Sequence, residues 1–154
     1  MLPEGILALS SISVADPASS KKRILEQAAR LLAATADEPP AEQIFERLLE
    51  RERLGSTGLA GGVALPHARM TGIQDSRGAF LRLAEPVEFD ALDGNPVDLV
   101  FALLVPDDAT EEHLQLLATL AGMFNEAELR NQLREADAEE AMTILTGHST
   151  THAA

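Results

Sequence analysis

The chain has 154 residues, 45% of them hydrophobic, a formal net charge of −13, and no cysteine, tryptophan or tyrosine. That length suits one domain with a real core, while the acidity repels a nucleic-acid backbone or an anionic membrane and the missing rings remove stacking platforms, so neither partner is expected. Without cysteine there are no disulfides and no thiolate metal sites.

The opening "MLPEGILALSSISVA" carries an apolar stretch, but Glu4 stands where a signal peptide has basic residues. No run approaches the roughly 20 apolar residues that span a bilayer. The segment therefore reads as folded protein, and the expected location is cytoplasmic. "SISV", Ser11 to Val14, has the character of a short strand. In "ASSKKRILEQAARLLAAT" a serine cap precedes Ile24, Leu25, Ala28, Leu31 and Leu32 at helical spacing. Pro39 and Pro40 break the chain, and "AEQIFERLLERERL" repeats the pattern with Ile44, Phe45, Leu48 and Leu49 on one face until Gly55 and Gly58 end it.

"GVALPHA" predicts a short strand with Pro66 at its exit, and "GAFLRLAEPVEF" one or two strands interrupted by Pro86. A turn at "LDGNP" leads to "VDLVFALLVP", Val97 to Pro106, whose nearly unbroken apolar run implies a strand covered on both faces in the middle of the sheet. From Thr110 the pattern is helical through "TEEHLQLLATLAGMF", "EAELRNQLREA" and "DAEEAMTILTG". Residues 148–154 are predicted to be a disordered tail. Helices flanking strands, with one strand buried on both sides, define an α/β class: a three-layer α/β/α sandwich around a mixed β-sheet, in one domain over residues 1–147.

The segment "GSTGLAGGVALPHARM", Gly55 to Met70, concentrates glycine and proline before one histidine. His67 then stands at a strand end beside a glycine-rich loop, a common place for sites in α/β sheets, although a histidine that merely caps a strand fits the same position. His113 lies in the first turn of a helix, on the stripe that continues through Leu116, Leu117, Leu120 and Phe124. A helix N-terminus disfavours the imidazolium, so this ring is expected to be neutral; a histidine satisfied at the core boundary is the plain alternative. His148 and His152 fall in the tail, where no role is expected. Arg51, Arg53 and Arg69 are the basic residues nearest His67 in sequence and by themselves read equally well as surface charges.

Several chemistries find no support in the motifs. The only lysines are Lys21 and Lys22, so no phosphate-binding loop of the G-x-x-x-x-G-K-[ST] type exists. There is no G-x-G-x-x-G, H-E-x-x-H or G-x-S-x-G, and nothing in the histidine spacing requests a metal. No cofactor and no metal are expected.

Three stretches, "ERERLGSTGLAGGVALPHAR", "PVEFDALDGNPVDLVFALLVP" and "ATEEHLQLLATLAGMF", resemble the IIA components of the phosphoenolpyruvate-dependent phosphotransferase system, mannitol/fructose/nitrogen branch (type 2). The resemblance implies that His67, in the G-[IV]-A-[IVL]-P-H motif, receives a phosphoryl group from a phosphohistidine on an HPr-like carrier protein. It further implies that His113 lies beside His67 and that Arg51 faces the phosphoryl group. Gly58, Gly61 and Gly62, with Ala68, would then form the loop that admits the carrier's backbone. One departure is visible: Ala68 stands where the family often has glycine, a methyl that would alter how the loop turns or how closely a partner docks. Which His67 nitrogen carries the group is decided by contacts.

Within the branch, "FDALDGNPVDLVFALLVP" and "GSTGL" look most like the nitrogen-regulatory IIA proteins. In those, phosphorylation is a signal to regulatory target proteins. The competing readings are a sugar-specific (fructose- or mannitol-type) transport component, an interaction module that keeps the fold without transferring phosphate, and a metal-dependent hydrolase built on the two histidines.

Overall fold

A computed structural model describes residues 2, 3 and 5–147; the expectations for Glu4, for the tail and for His148 and His152 lie outside the described residues. Each element forms where the pattern of apolar residues allows it to bury one face. A short 3-10 turn, Leu9–Ser11, leads into β1, Ile12–Asp16, so the strand starts one residue later than "SISV" predicts and runs further. In α1, Lys21–Ala33, the Ser20 hydroxyl accepts the Arg23 N–H at 3.2 Å and so satisfies one of the free donors of the first turn. Its Ile24, Leu25, Ala28 and Leu32 are buried, and each such aliphatic side chain larger than alanine stabilises the fold by roughly 1.5–3 kcal/mol.

Helix α2, Ala41–Leu54, starts directly after Pro40 and ends at Gly55, with Ile44 and Leu48 buried and Phe45 and Leu49 packed at the margin. Two short strands follow, β2 at Val63–Ala64 and β3 at His67–Met70. Then come β4, Arg77–Val87, and β5, Val97–Pro106. The C-terminal part is helical: α3, Thr110–Phe124, α4, Ala127–Glu135, and α5, Ala138–Thr146. Asp137 and Glu140 cap α5 reciprocally, and Gly147 closes it in the left-handed conformation.

The sheet is mixed. Its order is β1, β4, β5, β2, with β3 continuing beside β5; β4 runs antiparallel to β5, and the other pairings are parallel. β5 is flanked on both sides, as its apolar run predicts. Its alternate residues serve opposite cores: Val100, Ala102 and Leu104 pack beneath α1 and α2, whereas Leu99, Phe101, Leu103 and Val105 pack beneath α3, α4 and α5. The result is the expected three-layer α/β/α sandwich.

One strand expectation needs correction and another is incomplete. β4 is one strand that runs through Pro86, because its pairing with β5 is irregular between Arg82 and Val87 and no ladder bond is lost to the missing N–H. The "GVALPHA" strand does stop short of Pro66, at Ala64, but the chain stays beside β5 and resumes as β3 at His67. The register with β5 is continuous from Val63 opposite Leu99 to His67 opposite Leu103, and the Pro66 carbonyl still accepts the Leu103 N–H at 2.9 Å. Pro66 interrupts one edge strand, and His67 resumes it.

Candidate functional site

Three elements converge on His67: the last turn of α2 brings Arg51, β3 brings His67 itself, and the first turn of α3 brings His113. Arg51 Nε donates to His67 Nε2 at 3.3 Å, while Arg51 Nη1 donates to the Gly55 carbonyl at 2.9 Å. His67 Nδ1 lies 2.9 Å from the Leu65 carbonyl oxygen. An arginine can only donate and a carbonyl can only accept, so these two contacts dictate the tautomer: the proton is on Nδ1 and the lone pair on Nε2.

The His113 ring stands edge-on to that of His67, with centroids 5.2 Å apart. Its Nε2 is buried and has no hydrogen-bond partner among the described residues. Both rings hold protons weakly. Burial pushes His67 below the ordinary histidine range and the Arg51 guanidinium adds to this, against the opposing Leu65 carbonyl and Glu52 carboxylate. Burial likewise lowers His113, helped by the positive neighbourhood of His67, Arg69 and Arg51. His113 is thus neutral, as its place in the helix predicts, with burial as the main cause.

A pH dependence follows with a definite sign. Below about pH 6.5 these rings bind protons in the unfolded chain more readily than in the folded one, so their contribution to stability is present above that pH and is lost as pH falls through the lowered folded-state range. Thermal unfolding followed from pH 7.5 to 5 is expected to show a shallower loss of midpoint in His67→Ala than in the wild type. Equal slopes would mean that His67 is not depressed.

The cleft over these groups measures about 280 Å³ and is lined by Arg47, Arg51 and Arg69, with Glu50 as its single carboxylate and the exposed Leu54 on its rim. An otherwise strongly acidic protein therefore has a locally cationic spot at His67. Arg53, named with these arginines from the sequence, is exposed and does not line the cleft. Arg47 went unnoticed, although it precedes Arg51 by one helical turn; its Nε and Nη2 donate to the Arg69 carbonyl at 3.2 and 2.9 Å and tie α2 to β3. A second cleft of about 420 Å³, lined by Asp75, Ser76 and Glu112, shares none of these residues.

The expected partner loop of Gly58, Gly61, Gly62 and Ala68 is corrected in its physical reason. A Cβ on Gly58 would lie 2.8 Å from the Ala91 Cα, one on Gly61 2.8 Å from Arg130 Nε, and one on Gly62 2.7 Å from Arg134 Nη2 and 2.9 Å from Asp98 Oδ1. Arg134 grips Asp98 through Nε and Nη2 at 2.9 and 3.0 Å and also donates to the Gly61 carbonyl. The close approach that these glycines permit is made by the chain itself. Gly62 also lies next to the Leu99 end of β5, five residues and roughly 16 Å from the level of His67. Ala68 is not in a loop: it sits in β3, and its methyl packs into the core beneath α1 and α2.

Gly62 further has φ +81°, so Gly62→Ala is expected to cost about 1–3 kcal/mol in denaturant unfolding through strain and collision with Arg134, with chemistry at His67 unchanged. A neutral effect on stability would argue that the loop is free of these contacts.

Among the described residues there is no group of three or more His, Cys, Asp or Glu side chains able to hold a metal ion, and no helix is long and apolar enough to cross a membrane. The family model described as "Phosphoenolpyruvate-dependent sugar phosphotransferase system, EIIA 2" matches residues 6–147. A nitrogen regulatory protein of Pseudomonas aeruginosa is 52% identical over 139 residues, 90% of each chain. The crystal structure of nitrogen regulatory protein IIA-Ntr from Neisseria meningitidis is similar with a TM-score of 0.85 at 49% identity, over 92% of this chain and 97% of that one. The IIA-mannitol complex with phosphorylated IIB-mannitol from Escherichia coli gives a TM-score of 0.75 over 92% and 97% of the chains, and at 18% identity this is a likeness of fold.

Proposed function

Since the chain belongs to the EIIA type-2 family of the phosphoenolpyruvate-dependent sugar phosphotransferase system, we propose that it is a phosphocarrier whose phosphorylation on His67 governs its binding to regulatory target proteins. The observation that carries this reading is the orientation of the His67 ring. With Nδ1–H held by the Leu65 carbonyl, the Nε2 lone pair is directed at the cationic cleft. It attacks phosphorus on the phosphohistidine of an HPr-like carrier, the new N–P bond forms as the carrier's P–N bond breaks, and the electron pair returns to the carrier's imidazole.

The transfer asks for positioning and charge stabilisation. Arg51 Nε, released from Nε2 by the incoming group, turns its donor to a phosphoryl oxygen. His113 Nε2, neutral and unpartnered, donates to another when the ring's proton is on that nitrogen. Arg47 and Arg69 offset a dianion that the chain's overall charge would repel. Identity of 52% to a protein named for nitrogen regulation supports the regulatory branch over the sugar-specific one. The proposal places the protein in the cytoplasm beside its carrier.

Mixing it with phosphoenolpyruvate, the first enzyme of the system and an HPr-like carrier is expected to add one acid-labile phosphoryl group, read by intact mass. Failure to take up the group from any such carrier would move the reading to an interaction module.

A further inference from the structure

Among the described residues two buried carboxylates, Asp16 and Glu52, take no direct part in the proposed phosphoryl transfer, and Glu52 is the one next to Arg51. Glu52 follows Arg51 on α2 but points to the other side, into the protein, where its side chain is only 3% exposed. Every oxygen is engaged. Oε1 accepts the Thr57 N–H at 3.0 Å and pairs with Lys21 Nζ at 2.8 Å, and Oε2 accepts the Thr57 hydroxyl at 2.6 Å. Lys21 is itself placed 4.7 Å over the Phe89 ring.

From Thr57 two routes lead to the two nitrogens of His67. In the first, the Thr57 carbonyl accepts the Leu65 N–H at 3.0 Å, and the Leu65 carbonyl accepts the Nδ1–H of His67. In the second, the turn pinned between Glu52 and Thr57 contains Gly55, whose carbonyl takes Arg51 Nη1 and so aims Arg51 Nε at His67 Nε2. Glu52, Thr57, Leu65, His67 and Arg51 close a ring of contacts, because residues 51 and 52 are consecutive.

We propose that Glu52, through its clasp on Thr57, is a positioning residue for His67: it fixes the groups that dictate which ring nitrogen carries the proton and which is free to accept a phosphoryl group. The inference rests on the phosphocarrier reading for its consequence in rate, but its effect on the ring is independent of any donor. Lys21 neutralises the carboxylate, and the hydrogen bonds to Thr57 transmit its position. Hydrogen bonding is the operative part, so a neutral isostere that still accepts from Thr57 should serve.

The test uses the full chain in four forms: wild type, Glu52→Ala, Thr57→Val and Glu52→Gln. Ring ¹⁵N shifts of His67 at pH 7.5 report the tautomer, and quenched-flow labelling at saturating carrier reports the maximal transfer rate. Glu52→Ala and Thr57→Val are expected to move the His67 signals from the Nδ1–H form toward a mixture and to lower the maximal rate by on the order of tenfold, with the carrier's half-saturating concentration unchanged. Glu52→Gln is expected to restore both. Thr57→Val, which removes one hydroxyl at constant shape, keeps the test available if Glu52→Ala does not fold.

A folded Thr57→Val protein with the wild-type tautomer and rate would overturn the proposal, as would a Glu52→Gln protein as impaired as Glu52→Ala. If the wild type takes up no phosphoryl group while Thr57→Val still scrambles the tautomer, the phosphocarrier reading fails and the positioning role stands.

Discussion

The His67→Ala protein is expected to remain at its unmodified mass under conditions in which the wild type gains one phosphoryl group, while unfolding with nearly wild-type stability. The ring is only partly buried at the edge of the sheet, so its removal should change stability by about 1 kcal/mol or less. Loss of labelling is expected to be complete because, among the described residues, no second histidine is presented in the same way. His113 is near, with its centroid 5.2 Å away, but it stands in the first turn of α3 without the pair of contacts that presents a lone pair at His67 Nε2. Full labelling of His67→Ala would remove His67 as acceptor, and partial labelling with altered acid lability would point to His113. The same variant separates the competing functions: an interaction module would bind its targets equally well with or without His67, whereas a phosphorylation-governed one would lose only the binding that depends on the added charge.

Arg51→Ala is expected to slow phosphoryl uptake by about 10²-fold, the usual consequence of removing one preorganised donor from a developing negative charge. Two effects oppose each other and the larger decides. Without the guanidinium the His67 ring becomes somewhat more basic, which by itself would make Nε2 a better nucleophile. Against that, the ring loses the contact that orients Nε2, and the phosphoryl oxygens lose a donor fixed in place by the Gly55 carbonyl. Arg51→Lys should rescue little, because a single ammonium cannot hold the Gly55 carbonyl and face His67 at once in the way the planar fork does. Rapid-quench rates at saturating carrier measure this directly. A rate within threefold of wild type would assign the charge stabilisation to Arg47 and Arg69, whose side chains line the same cleft.

Local patterns along the chain carried most of the architecture. Helical spacing and a serine cap located α1, the proline pair and Gly55 bounded α2, and an unbroken apolar run marked β5 as the central strand. These are properties of neighbouring residues, and short-range sterics and burial periodicity suffice to express them. Pro66 misled because the interruption is local: the missing N–H removes one donor facing β5, but the carbonyl on that same side still accepts from Leu103, so the edge pairing resumes at His67. The glycines misled for a related reason. Sequence announces that a backbone must pass close to something, and only the packed structure says that the something is Arg130, Arg134 and Ala91 of the same chain.

Glu52 was legible in principle. It falls on the stripe of Ile44 and Leu48 at intervals of four, so a carboxylate was heading into the core. Its partners were not legible, since nothing in the order of residues says that Lys21, Thr57 and Glu52 meet. The composition and motifs of this chain by themselves decided that an acidic α/β protein presents one histidine at a strand end beside a glycine-rich loop. The tertiary structure alone decided which nitrogen of that histidine is free. That choice depends on a carbonyl two residues before it and on a guanidinium sixteen residues before it, and only folding brings that guanidinium within 3.3 Å of the ring.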